Sequence, residues 1–94
     1  MVMNMMIRWS SRFRKDYKKM RRRGMDMSKI DDIIGMLSRG EELPLKCRDH
    51  ALSGNWENHR ECHVLPDWLL IYQKCDGLLI LELTRTGTHA DLFD

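Results

Sequence analysis

Arg85, His89 and Phe93 stand four residues apart at the end of the chain, in Arg85-Thr86-Gly87-Thr88-His89-Ala90-Asp91-Leu92-Phe93-Asp94. They combine a fork-shaped cation, an imidazole and an aromatic face. RNA can be cut without a metal when its own 2′-hydroxyl attacks the adjoining phosphorus. That reaction needs a base, an acid for the departing 5′-oxygen and a cation for the charge on the phosphorane. Imidazole suits either proton transfer, because its unperturbed pKa of about 6.5 lies near working pH. Arginine offers planar, bidentate contact to a phosphate. Two earlier stretches carry the same residue types: Asp49-His50-Ala51-Leu52-Ser53-Gly54-Asn55-Trp56 and His63-Val64-Leu65-Pro66-Asp67-Trp68-Leu69-Leu70-Ile71-Tyr72. The candidate set is His50, His63, Asp67 and His89 for proton transfer, Arg85 for phosphate charge, and Trp68 and Phe93 for stacking on a splayed base. Asp67 serves either as the base or as the group that orients an imidazole. Residue types alone leave open which imidazole is acid and which group is base.

Two rival chemistries use the cysteines. Cys47-x2-His50 followed by His59-x2-Cys62 has the separation of paired zinc ligands. Residues 56–64 read as a strand, however, and there His59 and Cys62 point to opposite faces and cannot converge on one ion without a bulge. Cys62 beside His63 fails as a nucleophile–base pair for the same reason, and Cys62 is expected to be buried and inert. No metal and no organic cofactor is called for. Blander roles are also open: Thr88 as the N-cap of a short helical turn, Asp67 as a turn residue after Pro66, and Leu92 with Phe93 as packing on the sheet.

The elements that must position these residues follow from periodicity. Met5 to Trp9 reads as a short strand. Ser10 or Ser11 then caps a helix with Phe13, Tyr17 and Met20 on one face, closed at Gly24. Ser28-x-x-Asp31 reads as the capping box of a second helix with Ile30, Ile33, Ile34 and Leu37 as its buried stripe and Gly40 past its end. Leu43-Pro44-Leu45 forces an extended connection. Asp76-Gly77 between apolar runs predicts a two-residue hairpin turn pairing Cys75 with Leu78, Tyr72 with Leu81 and Trp68 with Arg85. In that register the Asp67 corner lies beside the Arg85-to-His89 segment, and Leu70, Tyr72, Leu79, Leu81 and Leu83 share the face of Trp68. The expected fold is α+β: an N-terminal strand and a two-helix hairpin packed on an antiparallel sheet of about four strands.

Ninety-four residues fit one domain with one modest core, spanning 1–94. Methionines at 1, 3, 5 and 6 suggest an overlong or disordered start over residues 1–5. The net charge is only +2, yet nine of the sixteen Lys and Arg fall between Arg8 and Arg23, with Asp16 the sole acid among them. One face is therefore strongly basic. Arg14, Lys18, Lys19, Arg21, Arg22 and Arg23 are its candidate contacts to RNA or to an acidic partner. No apolar run approaches the roughly 18–20 residues of a membrane span, and no signal-peptide order opens the chain. Three cysteines without a disulfide framework fit a reducing compartment. The expected location is cytoplasmic.

The C-terminal block and the His63-x-x-Pro66-Asp67-Trp68 corner resemble the YafQ branch of the RelE/ParE superfamily of toxins, over about Met6 to Phe93. The chain departs from that pattern at His59, where tyrosine is usual, and at Glu61, where aspartate is usual. The resemblance implies a metal-independent endoribonuclease that cuts translated messenger RNA on the ribosome and is neutralised by a cognate antitoxin. Ribosomal RNA or the antitoxin would then meet the basic helical side. A non-catalytic basic nucleic-acid-binding module, or less favoured a zinc-stabilised one, is the alternative.

Overall fold

The computed structural model describes residues 4–94. Strands β1 (Met6–Trp9), β2 (His50–Ala51), β3 (Arg60–Leu65), β4 (Trp68–Cys75) and β5 (Ile80–Gly87) form one sheet in the order β1-β5-β4-β3-β2. Helices α1 (Ser11–Arg22) and α2 (Met27–Ser38) follow β1, and α3 (His89–Phe93) closes the chain. The α+β architecture is as expected. Among the described residues the sheet has five strands, in line with the expected about four, and it is mixed rather than antiparallel, because β1 lies parallel to β5. Parallel neighbours need a crossover, and the helical hairpin with the β2–β4 meander supplies it. Among the described residues no helix is long and apolar enough to cross a membrane.

Ser10 caps α1, its hydroxyl accepting Phe13 N–H at 3.0 Å. Phe13 and Met20 are buried and Tyr17 half-buried, one apolar stripe at helical spacing. The cap of α2 differs from the expected Ser28. Asp26 holds that place, accepting Ser28 N–H at 3.1 Å and the Ser28 hydroxyl at 2.6 Å. A carboxylate also answers the positive end of the helix, as a hydroxyl does not. Met5, grouped above with a dispensable start, donates its N–H to Ser38 O at 2.7 Å and packs on the core, whereas Met1–Met3 lie outside the described residues.

The β4–β5 turn corrects the sequence register. A 3₁₀ turn over Asp76–Leu78 and Leu79 at φ 55° lengthen it, so Cys75 pairs with Ile80 and Tyr72 with Leu83. The slip is two residues. Side chains on a strand alternate with period two, so Leu81 and Leu83 keep their face and the predicted core survives a wrong register. Leu79, placed on that face above, is instead exposed in the turn. A further irregularity between Ile71 and Tyr72 brings Arg85 opposite Ile71 and Gly87 opposite Leu69.

The sheet buries both faces. On one, α1 and α2 pack Phe13, Met20, Ile30 and Leu37 against Cys62, Trp68, Leu70, Tyr72, Leu81 and Leu83. On the other, Leu69 and Ile71 lie under Leu92 of α3, with Leu52 and Trp56 at the margin. Glu61 and His63 of β3 are register partners of Ile71 and Leu69. They therefore project on this second, less covered face.

Candidate active site

The C-terminal helix is built by its own first turn. Thr88 caps it, its hydroxyl accepting Asp91 N–H at 3.1 Å while Thr88 N–H donates to Asp91 Oδ2 at 2.9 Å. Gly87, at φ 156°, makes the bend from β5. A Cβ there would lie 2.9 Å from the Asp91 side chain, so the capping carboxylate closes over the glycine. Asp91 is also held from α1, by Arg23 through two contacts at 2.7 and 3.0 Å and by Lys19 at 3.4 Å. The Arg23 guanidinium and the capping hydrogen bonds hold its carboxyl well below the usual carboxylate range. The capped turn expected at Thr88 is present, and it carries His89.

His89 meets Asp67 across the sheet end. Asp67 Oδ1 accepts His89 N–H at 3.1 Å and lies 2.7 Å from His89 Nδ1. A carboxylate can only accept here, so Nδ1 carries the proton and Nε2, on a side chain 55% exposed, is the position able to exchange one. Hydrogen bonding to His89 lowers the Asp67 pKa, keeping it a carboxylate. The His63 ring stands 6.1 Å from that of His89. His63 Nδ1 faces Pro66 O at 3.1 Å and His50 Nδ1 faces Arg48 O at 2.7 Å, so carbonyls fix both tautomers in the same sense. Their Nε2 atoms turn toward one carboxylate, Glu61 Oε1, at 3.7 Å from His50 and 4.0 Å from His63. Glu61 is 6% exposed. An aromatic row extends from these rings: Phe93 is 6.2 Å from His89 and 6.5 Å from Trp56.

Asp49, next to His50, anchors this end. It accepts from the buried Tyr72 hydroxyl and from Arg60 at 3.2 Å. His50 therefore extends from a clamped position rather than from a loose loop.

Residues 5–94 match the profile of a family described as "Bacterial toxin of type II toxin-antitoxin system, YafQ". The chain belongs to the YafQ toxin family. It is 43% identical over 88 residues to the mRNA interferase toxin YafQ of Escherichia coli strain K12, covering 93% of this chain and 94% of that one. It superposes on crystalline YafQ of E. coli BL21(DE3) with a TM-score of 0.88 at 39% identity, covering 94% and 97% of the two chains. It superposes equally, at 0.88 and 39% identity over 97% and 99%, on a chain of the E. coli DinJ–YafQ toxin–antitoxin complex.

Within this YafQ-family fold His50, His63, Asp67, His89 and Phe93 gather on one sheet face, and three other expectations change. Trp68 is 1% exposed, its indole N–H bound to Thr86 Oγ1 at 2.9 Å, so it offers no face to a base and acts as core. Arg85 does not stand free for phosphate: Asp16 of α1 accepts its Nε at 2.7 Å and Nη2 at 3.2 Å, and also Thr86 N–H at 3.1 Å. Nη1 is left outside this pairing. Lys19 and Arg23, placed above among partner contacts, are engaged by Asp91; Arg14 lies over the Trp9 ring at 5.9 Å. Cys47 and Cys62 are core residues, and burial pushes the Cys62 thiol up, away from nucleophilic use. Among the described residues no His, Cys, Asp and Glu group arranged to hold a metal ion is found. Sequence reasoning missed Glu61 and Trp56. Strand parity offered a signal for Glu61, since a carboxylate two residues from His63 must share its face.

Proposed function

We propose that the protein is the toxin of a type II pair, an endoribonuclease that cuts translated messenger RNA on the ribosome through 2′-hydroxyl attack. The observation that carries this reading is the Asp67–His89 pair, which leaves Nε2 outside it, with the His63 ring 6.1 Å away. Two imidazoles with fixed tautomers can bracket one phosphate, one taking the 2′-proton and the other protonating the 5′-oxygen. Asp67 orients His89, and the Glu61 carboxylate lies near the Nε2 atoms of His50 and His63, where it favours a proton taken up by either ring. Arg85 answers the phosphorane charge through its outer nitrogen or by exchanging Asp16 for phosphate. Phe93, 45% exposed, is presented for a base to stack on. Family membership supports the toxin role, and the E. coli relative, being an mRNA interferase, supports message as the substrate.

The partners proposed are the message and ribosomal RNA, met in the cytoplasm, and a cognate antitoxin, as DinJ is for the E. coli relative. Arg21, Arg22 and Lys18, exposed on α1, serve these contacts. The test is induced expression with mapping of 5′ ends on cellular messages, followed by cleavage on programmed ribosomes. Cutting should persist in chelator, leave a 2′,3′-cyclic phosphate and stop when the scissile ribose lacks its 2′-hydroxyl. Efficient cutting of the deoxy substrate would overturn the mechanism, and binding to RNA without cutting would identify a non-catalytic module.

A further inference from the structure

Beyond Glu61 the outer edge of β3 has no strand beside it. β2 pairs only with Arg60 and Glu61, and among the described residues no turn or loop backbone hydrogen bond reaches Cys62 to Leu65. Across the gap stands the 3₁₀ turn Leu45–Cys47 with Arg48 behind it. Between them lies a cavity of about 300 Å³ lined by Lys46, Arg48, His63, Val64, Leu65 and Pro66.

The lining describes its occupant. Lys46 and Arg48 are exposed, and among the described residues neither has an ion-pair partner, so two positive charges stand unanswered at one cavity. Val64, Leu65 and Pro66 give an apolar wall. The unpaired strand edge offers backbone donors and acceptors of the kind that read a base edge. An anion, a flat apolar face and a hydrogen-bonding rim together make a nucleotide. Arg48 is held at φ 50° and ψ 43°, a left-handed conformation that residues other than glycine seldom take. There its carbonyl faces His50 Nδ1 while the residue lines the cavity. Backbone held in this way is common at ligand clamps. His63 belongs to the cavity and to the imidazole cluster at once.

We propose that this cavity takes the nucleotide of the message adjoining the scissile phosphate and sets the base preference on that side of the cut. The inference rests on the nuclease reading above. It assigns Lys46 and Arg48 to substrate phosphate and the β3 edge to the base.

The test combines Lys46→Glu with Arg48→Asn. Asparagine is among the residues that best tolerate positive φ, so the turn and its carbonyl are kept while the charge is lost. On programmed ribosomes the half-saturating concentration should rise about tenfold or more, with the maximal rate changed far less, as for loss of uniform binding. Mapped cuts should lose their base preference at one flanking position. A raised half-saturating concentration with the preference intact would mean that the two cations serve ribosomal RNA, and would overturn the assignment. Wild-type protein independently tests the site without any folding question. An uncleavable message bearing 4-thiouridine beside the scissile position should crosslink to residues 46–66, and crosslinks confined to the Phe93 side would overturn it. If wild-type protein cuts and only these results fail, the cavity assignment falls alone; if it does not cut, the nuclease reading falls and takes the cavity with it.

Discussion

Asp91 never needs to touch substrate for the site to depend on it, and D91N isolates that dependence. The variant keeps one oxygen for Thr88 N–H and removes the charge that Arg23 grips at 2.7 and 3.0 Å. Arg23 is 39% exposed along its side chain, so solvent screens the ion pair and its loss adds little. A carboxylate in the first turn of a helix contributes about 0.3–1 kcal/mol more. Together the loss is about 1 kcal/mol, roughly fivefold in the docking of α3. The helix is five residues long and only Leu92 is buried, so it has little else to hold it. Amide exchange at Asp91 and Leu92 should accelerate by that factor in D91N relative to the native chain, melting temperature should shift by only a few degrees, and cleavage should fall as His89 and Phe93 lose their platform. Unchanged exchange in α3 would refute the tether. The carboxyl is depressed in the folded protein, so its stabilisation is complete at neutral pH, begins to fade as pH falls past the unfolded-state value of about 3.9, and is lost below it. Between pH 5 and 8 α3 exchange protection should therefore carry no titration from Asp91.

Arg85→Ala should lower cleavage well over tenfold, since one transition-state charge partner contributes on the order of 3 kcal/mol, and should also lower the melting temperature because Asp16, 13% exposed, is left without its cation; the second loss should disappear in Asp16→Asn/Arg85→Ala, and wild-type cleavage by Arg85→Ala would remove the residue from the site. His89→Ala should abolish more than nine-tenths of the activity with little change in melting, because its side chain is 55% exposed. Phe93→Ala should cost far less stability than the roughly 3–5 kcal/mol of a buried phenylalanine while slowing cleavage; a large drop in unfolding free energy with normal cutting would assign the ring to packing.

The core was legible because it depends on period rather than on register. Ile30, Ile33, Ile34 and Leu37 could be read from spacing, and Leu81 and Leu83 kept their face through a two-residue slip. The histidines and Asp67 were legible as a set, and the sheet end does bring Asp67 to His89. What escaped was long-range charge pairing. Asp16 with Arg85 and Arg23 with Asp91 are 69 and 68 residues apart, and nothing local marks either partner. An arginine near histidines therefore read as free when it was engaged. Trp68 misled for a related reason: an indole serves equally as a stacking face and as a core filler, and only the Thr86 hydroxyl beneath it decides. The parallel placement of β1 was invisible too, since strand direction is set by the crossover and not by the strand's own residues.

Asp16 and Lys19 of α1 and Arg23, which caps its C-terminus, recur at intervals of three and four, one stripe aimed at β5 and α3. This divides the basic face into two populations, charges tied to the sheet end and charges that stand apart from it. Along the stripe each charge answers a residue of the site, so its replacement would have to be matched by a second change far away in the chain, and such positions should drift only in pairs. Arg12, Lys15, Lys18 and Arg22, exposed beside it, carry no such obligation. Replacing those four would leave the Asp67–His89 end of the molecule as it is.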